Sequence, residues 1–181
     1  MDKLLKWQIG GMIFLLLFGS LWHFMFELTG RNLIGAAFFP VNESVWEHMK
    51  LFFYPFLIFS VIEWFFIGKD FSGFFVAKSW TCFFMIIMIL GLFYLLEIFF
   101  PGNFVKDIVI TVIVIIVALF VDYKIMKEVN SNGFVNFSSV VAIVMIGILM
   151  AFFTFFPPHN TIFQDHPSGG YGIISETDHE H

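Results

Sequence analysis

Ile108-Val109-Ile110-Thr111-Val112-Ile113-Val114-Ile115-Ile116-Val117-Ala118-Leu119-Phe120-Val121 is a run of 14 residues without a charge. In water a stretch so rich in Ile and Val reads as a buried strand. In lipid a lone strand cannot satisfy its backbone N–H and C=O groups, whereas a helix satisfies them internally. The surroundings decide between the two. Hydrophobic residues make up 59% of the 181-residue chain and charged residues 13%, about half the share of roughly a quarter usual in soluble domains. The run is therefore read as a helix, lengthened by Lys106 and Lys124 snorkelling from its ends.

Four further apolar stretches flank it. The spans fall at about 9–26, 44–67, 74–100, 105–123 and 137–156. The fold class is all-α, a polytopic membrane helix bundle of about five transmembrane helices within residues 1–158. Five crossings of about 20 residues leave only short loops and no room for a separate soluble domain. Pro55 is expected to kink the second span about one turn inside the membrane. Pro101-Gly102-Asn103 breaks the third span, and Pro157-Pro158 stops the fifth. Residues 159–181 form a polar C-terminal tail whose first part is expected to fold back over the bundle. Its end, with His179-Glu180-His181, reads as a mobile acidic segment. The first span shows no small-residue cleavage pattern and is expected to stay attached.

Lysine and arginine set the expected orientation. Lys3, Lys6, Lys69, Lys78, Lys124 and Lys127 fall on the N-terminal side, against Arg31, Lys50 and Lys106 on the other. This favours a cytoplasmic N-terminus and an outside C-terminus. The formal charge of −5 comes with no basic stripe, so no nucleic-acid partner is expected. The single cysteine, Cys82, allows no intrachain disulfide and no thiolate cluster. No convincing internal repeat supports an inverted-repeat transporter.

This topology gathers the ionisable residues on the outer face. His23 and Glu27 are spaced i, i+4 and would share one face of the first helix. Ionisable groups at membrane depth usually face the bundle interior and find partners, and imidazole and carboxylate ligands from several helices are how bundles build metal sites. The candidate ligands are His23, Glu27, His48, His159 and Asp165, for a divalent ion such as zinc, manganese or iron. Glu47 is the candidate general base. Each has a plainer reading beside it. Ser44-Val45-Trp46-Glu47 has capping-box form. Asn42 competes as the N-cap, with Glu43 then complementing the helix dipole. Glu97, Lys106 and Asp107 read as interfacial charges, and Glu63 is given no role beyond pairing with a lysine or snorkelling. Trp22 and Trp46 read as interfacial anchors.

Pro40-Val41-Asn42-Glu43-Ser44-Val45-Trp46-Glu47-His48-Met49-Lys50-Leu51, with Trp22-His23-Phe24 before it and Gly170-Tyr171-Gly172-Ile173 after it, carries a resemblance. The chain resembles a family of small bacterial multi-spanning membrane proteins, a domain of unknown function. The likeness runs from the first span to Ile173. It implies a bacterial cytoplasmic-membrane protein and carries no activity with it. In that family proline follows the tail aspartate directly; here His166 intervenes, which makes it the weakest ligand candidate. A looser likeness is to the seven-span zinc hydrolases that include the alkaline ceramidases. Ser20 and His23 fit it faintly, while five spans and the lack of a His-x-x-x-His pattern set the chain apart. Three functions stay open: a metal-dependent hydrolase of a lipid or lipid-linked substrate, a small proton-coupled transporter relaying through His23 and Glu27, and a non-catalytic scaffold that binds a membrane partner protein.

Overall fold

A computed structural model describes residues 2–174. His179-Glu180-His181 lies outside the described residues. The regular structure is helical: α1 (Lys3–Trp22), α2 (Met25–Leu28), α3 (Leu33–Phe38), α4 (Val45–His48), α5 (Lys50–Phe66), α6 (Phe74–Glu97), α7 (Phe104–Glu128) and α8 (Gly133–Phe155), with a 3₁₀ turn at Gly68–Asp70. No strand occurs among the described residues, only an isolated antiparallel bridge between Gln164 and Tyr171. Five segments are long and apolar enough to cross a membrane: α1, the joined α4 and α5 (Val45–Phe66), α6, α7 and α8. The regular structure of the described residues is all-helical, the form in which a backbone can satisfy itself in lipid.

The Ile- and Val-rich run from Ile108 lies in α7, which extends past Val121 to Glu128 and is 25 residues long. Asn103 starts it, its side chain accepting the N–H groups of Val105 and Lys106. Lys106 does not snorkel. It is buried, 7% exposed, and ion-paired with Glu97 at the end of α6. The helix continues through Asp122 because that carboxylate finds a buried partner, Lys78 Nζ at 2.5 Å.

Helix α7 packs against α6 and α1, while α5 packs against α1 and α6, and α8 packs on α6. Leu15, Phe53, Phe56, Met85, Val114, Ile115, Ala118 and Met150 fill the shared core. Large apolar side chains also point outward, among them Leu17, Phe65, Phe83, Ile116, Phe134 and Phe152. Such an exterior suits hydrocarbon as its solvent. Pro55 lacks the N–H that would bond the Leu51 carbonyl one turn back. That carbonyl instead lies against α1, where a Cβ on Gly19 would stand 3.0 Å from it. Helix α5 runs on through Pro55, and the break in the second span falls at Met49, between α4 and α5.

Two faces result. The N-terminal face holds the starts of α1, α6 and α8 and the ends of α5 and α7. The tail face holds the opposite ends. Residues 157–174 fold over the tail face: Trp46 N–H donates to Ile162 O (3.0 Å), Asn42 Nδ2 to Gly172 O (2.8 Å), and Arg31 Nη2 to Ile174 O (2.5 Å). Three lysines counted as surface charges are buried, namely Lys50, Lys78 and Lys106. Burial withdraws them from any surface-charge argument, since each is held by a carboxylate.

Candidate functional site

Helix α1 ends at Trp22, with His23 as its C-cap and Phe24 already leaving the helix. The break turns the next segment away from His23. Glu27 lies on the separate turn α2 and pairs with Arg31 at 2.6 Å, on the surface. The i, i+4 relation expected of His23 and Glu27 is therefore not realised.

His23 instead meets Glu43 and His48. Ser44 is the N-cap of α4, accepting the Glu47 N–H, while Asn42 Oδ1 accepts the Ser44 N–H at 2.9 Å. Glu43 thus sits just before the helix, and its side chain is free to swing toward the bundle. Its Oε1 lies 3.4 Å from His23 Nε2, and its Oε2 lies 3.3 Å from His48 Nε2. One ligand atom from each residue can be chosen so that all lie within 4.8 Å of one another. Zinc bonds to nitrogen and oxygen are about 2.0–2.2 Å, so ligands on a tetrahedron stand about 3.4 Å apart. The two separations are of that size but run to different oxygens of Glu43, and one atom from each residue keeps the three within 4.8 Å.

Tautomers support the same reading. His48 Nδ1 is 2.9 Å from the Ser44 carbonyl, which only accepts, so Nδ1 carries a hydrogen. Nε2 faces the Glu43 carboxylate at 3.3 Å, where it either donates from a protonated ring or, in the neutral ring, offers a lone pair to a shared cation. A backbone carbonyl holding the far ring N–H is the usual outer support of a metal-bound histidine. His23 Nδ1 is buried and unpartnered. Burial holds the His23 ring below the ordinary imidazole range, with His48 acting the same way and Glu43 opposing. The His48 imidazole holds the Glu43 carboxyl below the usual carboxylate range despite its partial burial. A neutral His23 and an ionised Glu43 are the forms that bind metal.

These three groups line one wall of a cavity of about 610 Å³. Glu97, Lys106 and Asp107 line another, and His166 with Pro167 of the tail complete the rim. Deeper in, the walls are apolar, with Leu15, Phe52, Ile89 and Ile115. Carboxylates outnumber lysines on these walls, with Glu43, Glu97 and Asp107 against Lys106.

The remaining expected site residues lie elsewhere. Glu47 is buried, 2% exposed. Its Oε2 accepts from Val41 N–H (3.1 Å) and Lys50 Nζ (2.8 Å), and its Oε1 from the Thr154 hydroxyl (2.7 Å). Both oxygens are held, and Glu47 does not line the cavity. Of the capping box, the Ser44 half forms, while Glu47 reaches back past Ser44 to Val41. His159 stacks on Tyr171 with ring centroids 4.5 Å apart and is not in the cluster. Asp165 Oδ1 accepts the Glu43 N–H at 2.8 Å, supporting the cluster from behind. Glu43 was the residue that sequence reasoning set aside, because a first-turn acid already has a reason to exist. Its position one residue before the N-cap is the signal that distinguishes it.

The DUF6512 family, described as a family of unknown function, matches residues 1–173. The chain belongs to this family. No curated protein and no solved structure matches it. The DUF6512 match spans all eight helices and ends in the tail, so it contains the histidine pair, Glu43, both cavity walls and Asp165.

Proposed function

We propose that the chain is a metal-dependent hydrolase of a lipid or lipid-linked substrate, with His23, Glu43 and His48 holding a divalent ion. The observation that carries this reading is the convergence of two histidines and a carboxylate, one ring already oriented by a carbonyl, on an apolar cavity. Two histidines and one glutamate form a ligand set of catalytic zinc, which leaves a position for water; manganese and iron also accept such N/O donors. The bound ion would lower the pKa of a water to about 7 and polarise the scissile carbonyl. Hydrolysis there would join the water oxygen to the acyl carbon and break the carbon–heteroatom bond, with a base carrying the water proton to the leaving group. Asp107 suits that base better than Glu47, because it lines the cavity and its Oδ1, 3.4 Å from Lys106 Nζ, accepts no hydrogen bond. The apolar depth would take an acyl chain, and Lys106, held by Glu97 and Asp107, leaves no unpaired ammonium for a phosphate. An ester or amide is the bond expected to be cut.

The orientation proposed is cytoplasmic for the N-terminal face, in a bacterial inner membrane. Exposed lysines there are Lys3, Lys6, Lys69, Lys124 and Lys127, whereas the tail face offers Arg31, partly exposed. The test is hydrolysis of fluorogenic lipid esters and amides by the full-length protein in liposomes, before and after chelation. Loss on chelation, and in His48→Ala, supports the reading. A protein that binds no metal and cleaves none of them points to the scaffold. The buried ionic network in the other half of the bundle favours a second reading, a small proton-coupled carrier, which substrate flux without cleavage would reveal.

A further inference from the structure

One to two turns in from the N-terminal face, four helices send polar side chains to one point. Gln8 comes from α1, Glu63 from α5, Lys78 and Thr81 from α6, and Asp122 from α7, and each is at most 4% exposed. Lys78 Nζ lies 2.5 Å from both Glu63 Oε2 and Asp122 Oδ2, with Met126 Sδ at 3.5 Å as its third contact. Gln8 Nε2 donates to Asp122 Oδ2 (2.8 Å) and, at 3.3 Å, to Glu63 Oε1. The Thr81 hydroxyl donates to Asp122 Oδ1 at 3.2 Å. The phenyl rings of Phe56 and Phe74 cover the ammonium. Cys82, a buried thiol, is the other titratable side chain close by.

Two independent counts come out one short. Fully ionised, two carboxylates face one ammonium, leaving one uncompensated negative charge where burial makes it costly. In hydrogen bonds, Gln8 Oε1 is buried and receives no donor. One proton on a carboxylate corrects the first count and supplies an O–H of the kind the second lacks.

We propose that Gln8, Glu63, Lys78, Thr81 and Asp122 form a proton-binding site that holds one exchangeable proton on the Glu63–Asp122 carboxyl pair. The site is separate from the histidine cluster, with which it shares no residue, and it stands whether or not that cluster binds metal. Because its members come from α1, α5, α6 and α7, loading and unloading the proton changes the charge that joins those four helices. Lys78 is the fixed cation of the site, and the proton is its ligand.

Infrared spectroscopy of the full-length protein in liposomes at neutral pH tests this. The expected result is a carbonyl stretch of a protonated carboxylic acid that moves in deuterium oxide. It disappears in Glu63→Gln and in Asp122→Asn, each of which leaves a neutral ion pair. Lys78→Met, which leaves two carboxylates without a cation, should add a second acid band. An absent acid band in the unsubstituted protein overturns the proposal, as does a band that both single variants retain. So does an absent band joined to a melting temperature that rises with sodium chloride but not with choline chloride, since the missing charge is then a metal cation. Should both variants fail to fold, carbon-13 labelling of aspartate and glutamate carboxyls in the unsubstituted protein gives the decision. No acid band sensitive to either label overturns the proposal.

Discussion

Asp165 accepts the backbone N–H of Glu43 at 2.8 Å, so a tail residue fixes the carboxylate that lies between two histidines of the bundle. The other Asp165 oxygen is held by the Ser168 N–H (2.9 Å) and hydroxyl (2.5 Å), which ties the tail turn to the same carboxylate. Trp46 N–H, a free donor at the start of α4, is accepted by Ile162 O. The tail thus caps the helix start that presents Glu43 and His48.

Asp165→Ala should therefore weaken metal binding without removing a ligand. Loss of an outer-shell partner typically costs 10–100-fold in affinity, and a drop of about that size is expected in titration against a competing chelator. An unchanged affinity would separate the tail from the site.

Metal binding should fall on acidification. Burial holds His23 below the ordinary imidazole value, so its ring stays neutral through neutral pH. Glu43 is held below its ordinary value by His48 and stays ionised well into the acid range. Protons then compete with metal mainly at the imidazoles. His23 and Glu43 should each contribute a loss of metal-free stability as pH falls, because both depressed groups bind protons more readily in the unfolded chain. That loss begins below the ordinary imidazole range for His23 and continues below the ordinary carboxylate range for Glu43. A zinc titration series and thermal melts across pH check both slopes.

Glu47→Gln should act on stability before it acts on catalysis. Lys50 Nζ is fully buried against Glu47, the Thr154 hydroxyl, and the carbonyls of Ala36 and Phe39. Removing one partner of a buried pair strands the other charge, at a cost of about 3–5 kcal/mol. Lowered thermal stability, with metal content retained in the folded fraction, is the expected outcome. Loss of turnover with normal stability would return Glu47 to the catalytic role.

Gly19→Val should separate α1 from α5. The added Cβ would stand 3.0 Å from Leu51 O, a backbone atom that cannot swing aside. Overpacking of this kind costs about 1–3 kcal/mol, and since His23 is one turn further along α1, metal affinity should fall with it. Thermal melts with and without metal measure both effects.

Much of the architecture was legible in the residues. Ile108–Val121 is helical, as the need to satisfy its backbone internally predicts, and α8 stops just before Pro157, whereas α6 ends at Glu97, short of the Phe100 expected from Pro101. His23 and His48 were readable as polar groups at the ends of apolar spans. Their partner was not. Glu27 has the right spacing only if α1 continues, and a break at Phe24 is a local event that no periodicity announces. Lys78 sits at a span boundary, where a snorkelling lysine and a buried one look alike until Glu63 and Asp122 are seen beside it. Pairings between helices distant in sequence depend on packing rotation, which one sequence does not display.

Elemental analysis of the detergent-purified full-length protein, after exposure to zinc, manganese or ferrous iron, tests the His23–Glu43–His48 centre most directly. About one divalent ion per chain is expected, lost in His23→Ala, Glu43→Gln and His48→Ala and retained in Glu27→Gln and His159→Ala. A protein that takes up no ion, or that keeps it in all three ligand variants, contradicts the account.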